Sequence, residues 1–196
     1  MIRFKKIKWK NFLSTGDQWT EVKLNDDGTT LIVGANGAGK STVLDAICFV
    51  LFNKPYRKIT KSQLVNTTNE KGTETEIEFE IGSKQYLVRR GIKPNIFDIE
   101  IDGNMRNKEA DDRVNQKVLE EQILKLNFKS FTQIVILGSS NFIPFMQLNG
   151  PNRREVIEDL LDIKIFSAMN NIVRDKLRVV KDLSLIHISE PTRRTI

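Results

Sequence analysis

The chain has almost none of the residues that support disulfide frameworks or histidine chemistry. It contains one cysteine and one histidine in 196 residues. The single cysteine, Cys48, excludes an internal disulfide and agrees with a reducing cytoplasm. Because it lies in an apolar run, we expect it to be a small core residue. No apolar run reaches the roughly 18 residues that a membrane-spanning helix needs, and no signal peptide follows Met1. A cytoplasmic chain without membrane attachment is predicted.

Positive charge is modest in total but uneven along the chain. There are 31 basic and 25 acidic residues, which gives a net charge of +6. Basic clusters predict an anionic partner, nucleic acid above all. The N-terminal lysines are equally well explained as the solvated face of an edge strand. The two clusters are Arg3, Lys5, Lys6, Lys8 and Lys10 at the N-terminus, and Lys54, Arg57, Lys58 and Lys61 further along.

Residues 34–41 have the sequence Gly-Ala-Asn-Gly-Ala-Gly-Lys-Ser, the G-x-x-x-x-G-K-[S/T] pattern of a phosphate-binding loop. Its glycines let backbone N–H groups converge on a phosphate, and the following helix adds its positive end. Lys40 is expected at the β- and γ-phosphates and Ser41 at Mg²⁺ through its hydroxyl. The loop predicts binding of a nucleoside triphosphate with Mg²⁺ and by itself does not separate ATP from GTP; because no guanine-reading Asn-Lys-x-Asp motif is present, ATP is expected. The predicted nucleotide ligands are Asn36, Gly37, Ala38, Gly39, Lys40, Ser41 and Thr42.

Hydrophobic periodicity gives a coarse outline of the elements. Alternation predicts strands over 2–12 and 19–24, and the β-branched run 29–33 predicts a buried strand that leads into the loop. A helix is predicted over 40–52, ended by Pro55. Strict alternation from 75 to 81, followed by further short strands, predicts an antiparallel meander. The remaining predictions are strands at 86–88, 96–101 and 131–137, helices at 114–126 and 153–161, and an amphipathic helix at 165–180.

The C-terminal residues depart from this pattern. Residues 184–196 add Pro191 and the only histidine, His187. They resemble translated sequencing-adapter read-through, so we expect a non-native tail with no functional role. The predicted organisation is an ATPase lobe over 1–163, the start of a coiled-coil helix over 164–183, and this tail.

The phosphate loop and its flanking segments together resemble the N-terminal half of SMC-like, SbcC-type ATPases of DNA double-strand-break repair. The combination is most similar to the members from T-even-like tailed phages. This resemblance implies an α/β fold, the N-terminal lobe of a P-loop ABC-type ATPase with a mixed sheet and an antiparallel meander. The flanking segments are Lys10–Ser14, Thr42–Ile47, Leu51–Pro55, Ser130–Gly138 and Arg153–Leu161.

In that family the ATPase head is split by a long coiled coil, and the C-terminal lobe supplies the signature motif and the Walker B carboxylates. The chain contains neither motif. The resemblance therefore implies one lobe of one head, inactive alone, whose partners are its missing C-terminal lobe, a second head that dimerises through ATP, DNA and an SbcD-type metallonuclease. If the source is a phage, the location is the host cytoplasm. The alternative is a DNA-clamping, chromosome-organising lobe of SMC or RecF type without a nuclease; a transporter ATPase is disfavoured.

Two sets of functional residues are predicted outside the loop. The family has a glutamine that helps to hold Mg²⁺ and the attacking water. Alignment on Phe142 places that position at Ser139, and Gln133 is the candidate substitute. For DNA, the predicted contacts are to the phosphate backbone, since no recognition helix or zinc site is present. The candidate DNA residues are Lys54, Arg57, Lys58 and Lys61.

Overall fold

Alternating strands in the first half of the chain build one antiparallel sheet. The computed structural model describes residues 2–25, 28–106, 111–136, 143–161 and 163–189. It divides into two compact units, Met1–Gln147 and Leu148–Ile196. The sheet has six strands in the order β2-β1-β3-β4-β5-β6, and all of its pairs are antiparallel. This confirms the predicted meander. The strands are β1 (Ile2–Lys10), β2 (Thr20–Lys23), β3 (Thr73–Ile81), β4 (Lys84–Ile92), β5 (Ile96–Ile101) and β6 (Asn104–Met105).

The N-terminal lysines form a cross-strand ladder with the glutamates of β3. Lys8 lies opposite Glu76 with its Nζ 2.7 Å from a carboxylate oxygen, and Lys6 lies opposite Glu78 at 3.0 Å. Directly opposed charges of unlike sign stabilise a sheet. The lysines do lie on a polar strand face, but β1 is an inner strand between β2 and β3, so the edge-strand interpretation was wrong. Two further pairs are Lys5–Glu80 and Lys10–Glu74.

The opposite face of the sheet packs against the helix that follows the phosphate loop. This helix, α1 (Thr42–Phe52), confirms the predicted helix. Its apolar residues join those of β1, β3, β4 and β5 in one buried core. Cys48 is fully buried there, as expected, and burial raises the pKa of its thiol. The core residues from the sheet and α1 include Ile7, Trp9, Ala46, Phe49, Val50, Ile77, Phe79, Val88 and Ile99.

Further helices close the first unit. Helix α2 (Asp112–Lys117) continues as a π-helix over Val118–Leu124. The two together begin two residues before the helix predicted for 114–126 and end two residues before its expected end. Helix α3 (Phe128–Ile134) replaces the strand predicted over 131–137. Asn127 caps it by accepting a hydrogen bond from the Ser130 N–H at 2.9 Å, and Phe131 packs its ring 5.1 Å from that of Phe52. The cap and this apolar contact favour a helix, so the strand prediction was wrong.

The predicted buried strand at Thr29–Val33 is also wrong in this structure. These residues form no strand, and the side chains of Leu31 and Val33 are 84% and 81% exposed. A β-branched run has strand propensity, but a strand needs a neighbour for its backbone groups. No described strand pairs with this run.

The second unit consists of two helices. Helix α4 (Gly150–Leu160) begins at the predicted turn, where the Asn149 side chain accepts a hydrogen bond from the Asn152 N–H at 3.0 Å. Helix α5 (Lys164–Ser189) confirms the predicted amphipathic helix and runs six residues beyond its expected end at 183. Apolar side chains along it, such as Ile172 and Leu177, are more than half exposed. None of the described helices is long and apolar enough to cross a membrane.

Candidate nucleotide-binding site

The phosphate loop connects the exposed run 29–33 to the N-terminus of α1. Gly37 and Gly39 both have φ of +88°, a backbone conformation that is strained for any residue with a side chain. The Lys40 ammonium lies back over the loop and donates hydrogen bonds of 2.7 Å to the carbonyls of Gly34 and Ala35. Its charge is therefore held at the loop, next to the N-terminus of α1 and the positive end of its dipole. This arrangement suits a polyphosphate anion.

A cavity of about 580 Å³ opens in front of the loop. Six of the seven predicted nucleotide ligands line it, and Ala38 is the exception. The other walls come from the loop after β1 and from the segment that follows α1. Sequence reasoning missed these walls because they are distant in the chain from the glycine pattern. The cavity is lined by Leu13, Ser14, Asn36, Gly37, Gly39, Lys40, Ser41, Thr42, Arg57, Gln63, Val65 and Thr67.

Arg57 is held at the cavity wall by a buried carboxylate. Asp45, in the first turn of α1, is completely buried. It accepts a 2.6 Å hydrogen bond from the Arg57 Nε and a 3.0 Å bond from the Arg57 backbone N–H. A second guanidinium nitrogen lies 2.6 Å from the same carboxylate oxygen. The pair fixes a cation at a cavity that is already suited to anions, and α1 carries both the loop and the residue that fixes it.

The four candidate DNA residues do not share one environment. Arg57 lines the nucleotide cavity, so the structure places it with the phosphate loop. Lys61 is half-buried with its Nζ 5.9 Å from the centre of the Phe49 ring, and burial lowers the pKa of Lys61. Lys54 and Lys58 are exposed. Arg57 is exposed as well but is paired with Asp45 at the cavity wall, so Lys54 and Lys58 are the two candidates that are exposed and do not line the cavity.

The candidate glutamine does not reach this cavity. Gln133 lies in α3, and its Oε1 is buried without a hydrogen-bond partner among the described residues. It is not one of the residues that line the cavity. The alternative position, Ser139, lies outside the described residues. A role for Gln133 in holding Mg²⁺ or water therefore stays a prediction without support from this geometry.

Comparison with known protein families shows to which family this chain belongs. The sequence profile of the AAA domain family AAA_23 matches residues 6–185. The chain belongs to this family. Its phosphate loop lies within the matched residues.

Two relatives are components of nucleases. The chain is 40% identical to exonuclease subunit 2 of Enterobacteria phage T4. The match covers 87% of this chain and 30% of that protein. The chain is 30% identical over 81% of its length to the SbcC component of the SbcCD nuclease of Clostridium acetobutylicum, covering 14% of that protein. The chain thus spans less than a third of these relatives. This confirms the resemblance to SbcC-type ATPases and to their phage members.

A solved structure supports the predicted fold. The AAA domain superposes on the Smc head domain with an extended coiled coil from Pyrococcus furiosus, solved bound to the C-terminal domain of ScpA, with a TM-score of 0.64. The sequences are 22% identical, and the match covers 96% of this chain and 49% of the other. At this identity the likeness concerns the fold, and it confirms the predicted fold class.

Proposed function

We propose that this chain is the ATP-binding lobe of an SMC-like DNA repair and recombination ATPase that works with a metallonuclease to process DNA ends. The observation that carries this proposal is the 580 Å³ cavity, with Lys40, Ser41 and Arg57 in its walls. The similarity to exonuclease subunit 2 and to the SbcC component of SbcCD supports the nuclease partner. Because these relatives belong to nucleases, the alternative of a chromosome-organising lobe without a nuclease is not favoured.

The donors in the cavity wall fit a magnesium nucleotide. Loop N–H groups and the Lys40 ammonium match phosphate oxygens, and the Ser41 hydroxyl is an oxygen ligand of the kind that Mg²⁺ takes. The guanidinium of Arg57 adds a second fixed cation. The metal and its phosphates would supply the electrophilic centre for hydrolysis. The chain's own part is to bind and orient them, since the described residues offer no carboxylate in the cavity to position water.

The unpaired run Thr29–Val33 supports a partner in the missing C-terminal lobe. The chain also has an apolar groove of about 390 Å³, lined by Leu24, Leu44, Ile47 and Phe131 among others. Exposed apolar surface of this kind marks an interaction site. We expect strands of the C-terminal lobe to pair with the run and cover the groove. A second head that joins through ATP, and a returning helix that packs on α5, complete the proposed assembly.

Nucleotide binding is tested with the Lys40→Ala variant. The parent chain is expected to bind ATP with Mg²⁺, and the variant to bind about tenfold more weakly or worse, because it loses charge-assisted hydrogen bonds. Lys40 is only partly buried, so the thermal midpoint without ligand should be nearly unchanged. Titration calorimetry and thermal unfolding measure the two quantities. Lys58→Ala, which removes an exposed lysine outside the cavity, is the matched control; equal ATP affinities in Lys40→Ala and this control would contradict the proposal.

A further inference from the structure

Two loops that are about fifty residues apart in the chain form one wall of the nucleotide cavity. The first loop, residues 11–16, contributes Leu13 and Ser14, and the second, residues 64–70, contributes Val65 and Thr67. Loops of this length are ordinarily the most mobile parts of a domain. The backbone joins them at two places, where the Leu13 N–H donates to the Leu64 carbonyl at 2.7 Å and the Asn66 N–H donates to the Asn11 carbonyl at 3.1 Å.

The buried amide side chain of Asn66 adds further hydrogen bonds between the two loops. Asn66 is 7% exposed. Its Nδ2 donates two hydrogen bonds of 3.0 Å across the gap, to the carbonyls of Leu13 and Thr15. Its Oδ1 accepts two bonds within its own loop, from the N–H of Thr68 at 2.9 Å and of Asn69 at 3.0 Å. The amide therefore uses both donors and both acceptor sites.

This arrangement places Asn66 next to the site without making it a ligand. Its neighbours Val65 and Thr67 line the cavity, and it binds the carbonyl of a third lining residue, Leu13, whereas Asn66 itself does not line it. A fully satisfied buried polar group makes its surroundings rigid. The hydrogen bonds of Asn66 connect the two loops, and none of those described goes to the phosphate loop. The amide consequently holds the part of the cavity wall that the two loops form.

We propose that Asn66 is a positioning residue that shapes the nucleoside-facing wall of the cavity and so determines how well the nucleoside part of the nucleotide is held. This inference rests on the proposed function, because it takes the phosphate loop as the site of the triphosphate. With the triphosphate at the loop, the base and ribose have the rest of the cavity, which the two loops help to line. Loss of Asn66 should then weaken binding of the nucleoside and leave binding of the phosphates alone.

The test compares two probes that share the phosphate chain, Mg·ATP and Mg·tripolyphosphate, by titration calorimetry on the 196-residue chain. The Asn66→Ala variant should bind ATP about tenfold more weakly, while its affinity for tripolyphosphate changes by less than about twofold. Asn66→Asp should behave alike, because its second carboxylate oxygen would face two carbonyls that need a donor. Thr68→Ala, at an exposed position of the same loop, is the matched control, and it should bind both probes as the parent does. Lys40→Ala should weaken both probes.

Each outcome bears on a different claim. If the Asn66 variants lose affinity for both probes equally, or for neither, the positioning role is overturned. If the parent chain fails to bind ATP, the proposed function is overturned and this inference with it. Hydrogen exchange on the parent chain needs no variant: ATP should protect residues 11–16 and 64–70, and tripolyphosphate should protect only the phosphate loop. Equal protection of both loops by the two probes would also overturn the inference.

Discussion

The Asp45–Arg57 pair allows a quantitative prediction for the Arg57→Gln variant. The Asp45 side chain is 0% exposed, whereas that of Arg57 is 43% exposed. Removing one partner of a buried ion pair costs about 3–5 kcal/mol, because the other charge stays buried without a partner. Solvent around the half-exposed guanidinium screens part of this, and the bond from the Arg57 backbone N–H remains. We therefore expect a loss of about 2 kcal/mol, or a midpoint lower by about 4–8 °C in a domain of this size.

The same variant should also bind ATP more weakly, since Arg57 lines the cavity. Thermal unfolding and titration calorimetry are run on the parent, on Arg57→Gln, on Asp45→Asn and on the double variant. In the double variant much of the lost stability should return, because neither side chain keeps its charge. Lys58→Gln, a change at the neighbouring exposed cation, is the control. The reasoning is refuted if Arg57→Gln and Lys58→Gln have the same midpoint and the same ATP affinity.

Three further predictions concern turnover, acid stability and DNA. The isolated chain should not hydrolyse ATP at a steady state, because the second lobe and second head are missing; phosphate release that Lys40→Ala abolishes would disprove this. The hydrogen bond from Lys5 lowers the pKa of Glu80. The contribution of this pair to the free energy of unfolding is therefore fully present above the carboxyl's ordinary pKa of 4.5 and is lost as the pH falls below that value. The midpoints of the parent and of Glu80→Gln should therefore converge in acid, and a constant difference would contradict the pairing. With Lys54 and Lys58 as the exposed candidate cations that do not line the nucleotide cavity, duplex DNA binding should show a log–log salt slope near −1.8, by about −0.9 for each phosphate; no binding at low salt, or a strong sequence preference, would count against it.

The sheet and the phosphate loop were predictable because their signals are local. Strict alternation in 75–81 determines which face of β3 is buried, and the structure places Ile77 and Phe79 in the core as that alternation requires. The glycine pattern likewise predicts the backbone conformation of the loop, since the positive φ of Gly37 and Gly39 is what such a loop needs. Both features depend on a few consecutive residues.

The errors arose where the outcome depends on distant residues. The run 29–33 has strand propensity, but pairing depends on a neighbour that the described chain does not supply. The segment 131–137 is a short apolar run, for which periodicity alone does not separate strand from helix; the Asn127 cap was the signal that could have found α3. The second wall of the cavity was missed because Leu13 and Thr67 lie in loops that are distant in the chain and are joined by backbone hydrogen bonds and by the buried side chain of Asn66.

The lysine–glutamate ladder has a consequence for how this surface can change. Each ion pair joins a lysine of β1 to a glutamate of β3, so this face of the sheet carries many charges but little net charge. A Glu→Gln replacement on β3 keeps the shape of the side chain and removes the acidic partner of at least one cation, and of two at Glu76, which pairs with Lys8 and Arg89. Successive replacements would expose a row of lysines spaced about 7 Å apart along the strand, every second residue. The sheet therefore carries a latent polyanion-binding stripe that a few isosteric substitutions would uncover without any change in the backbone.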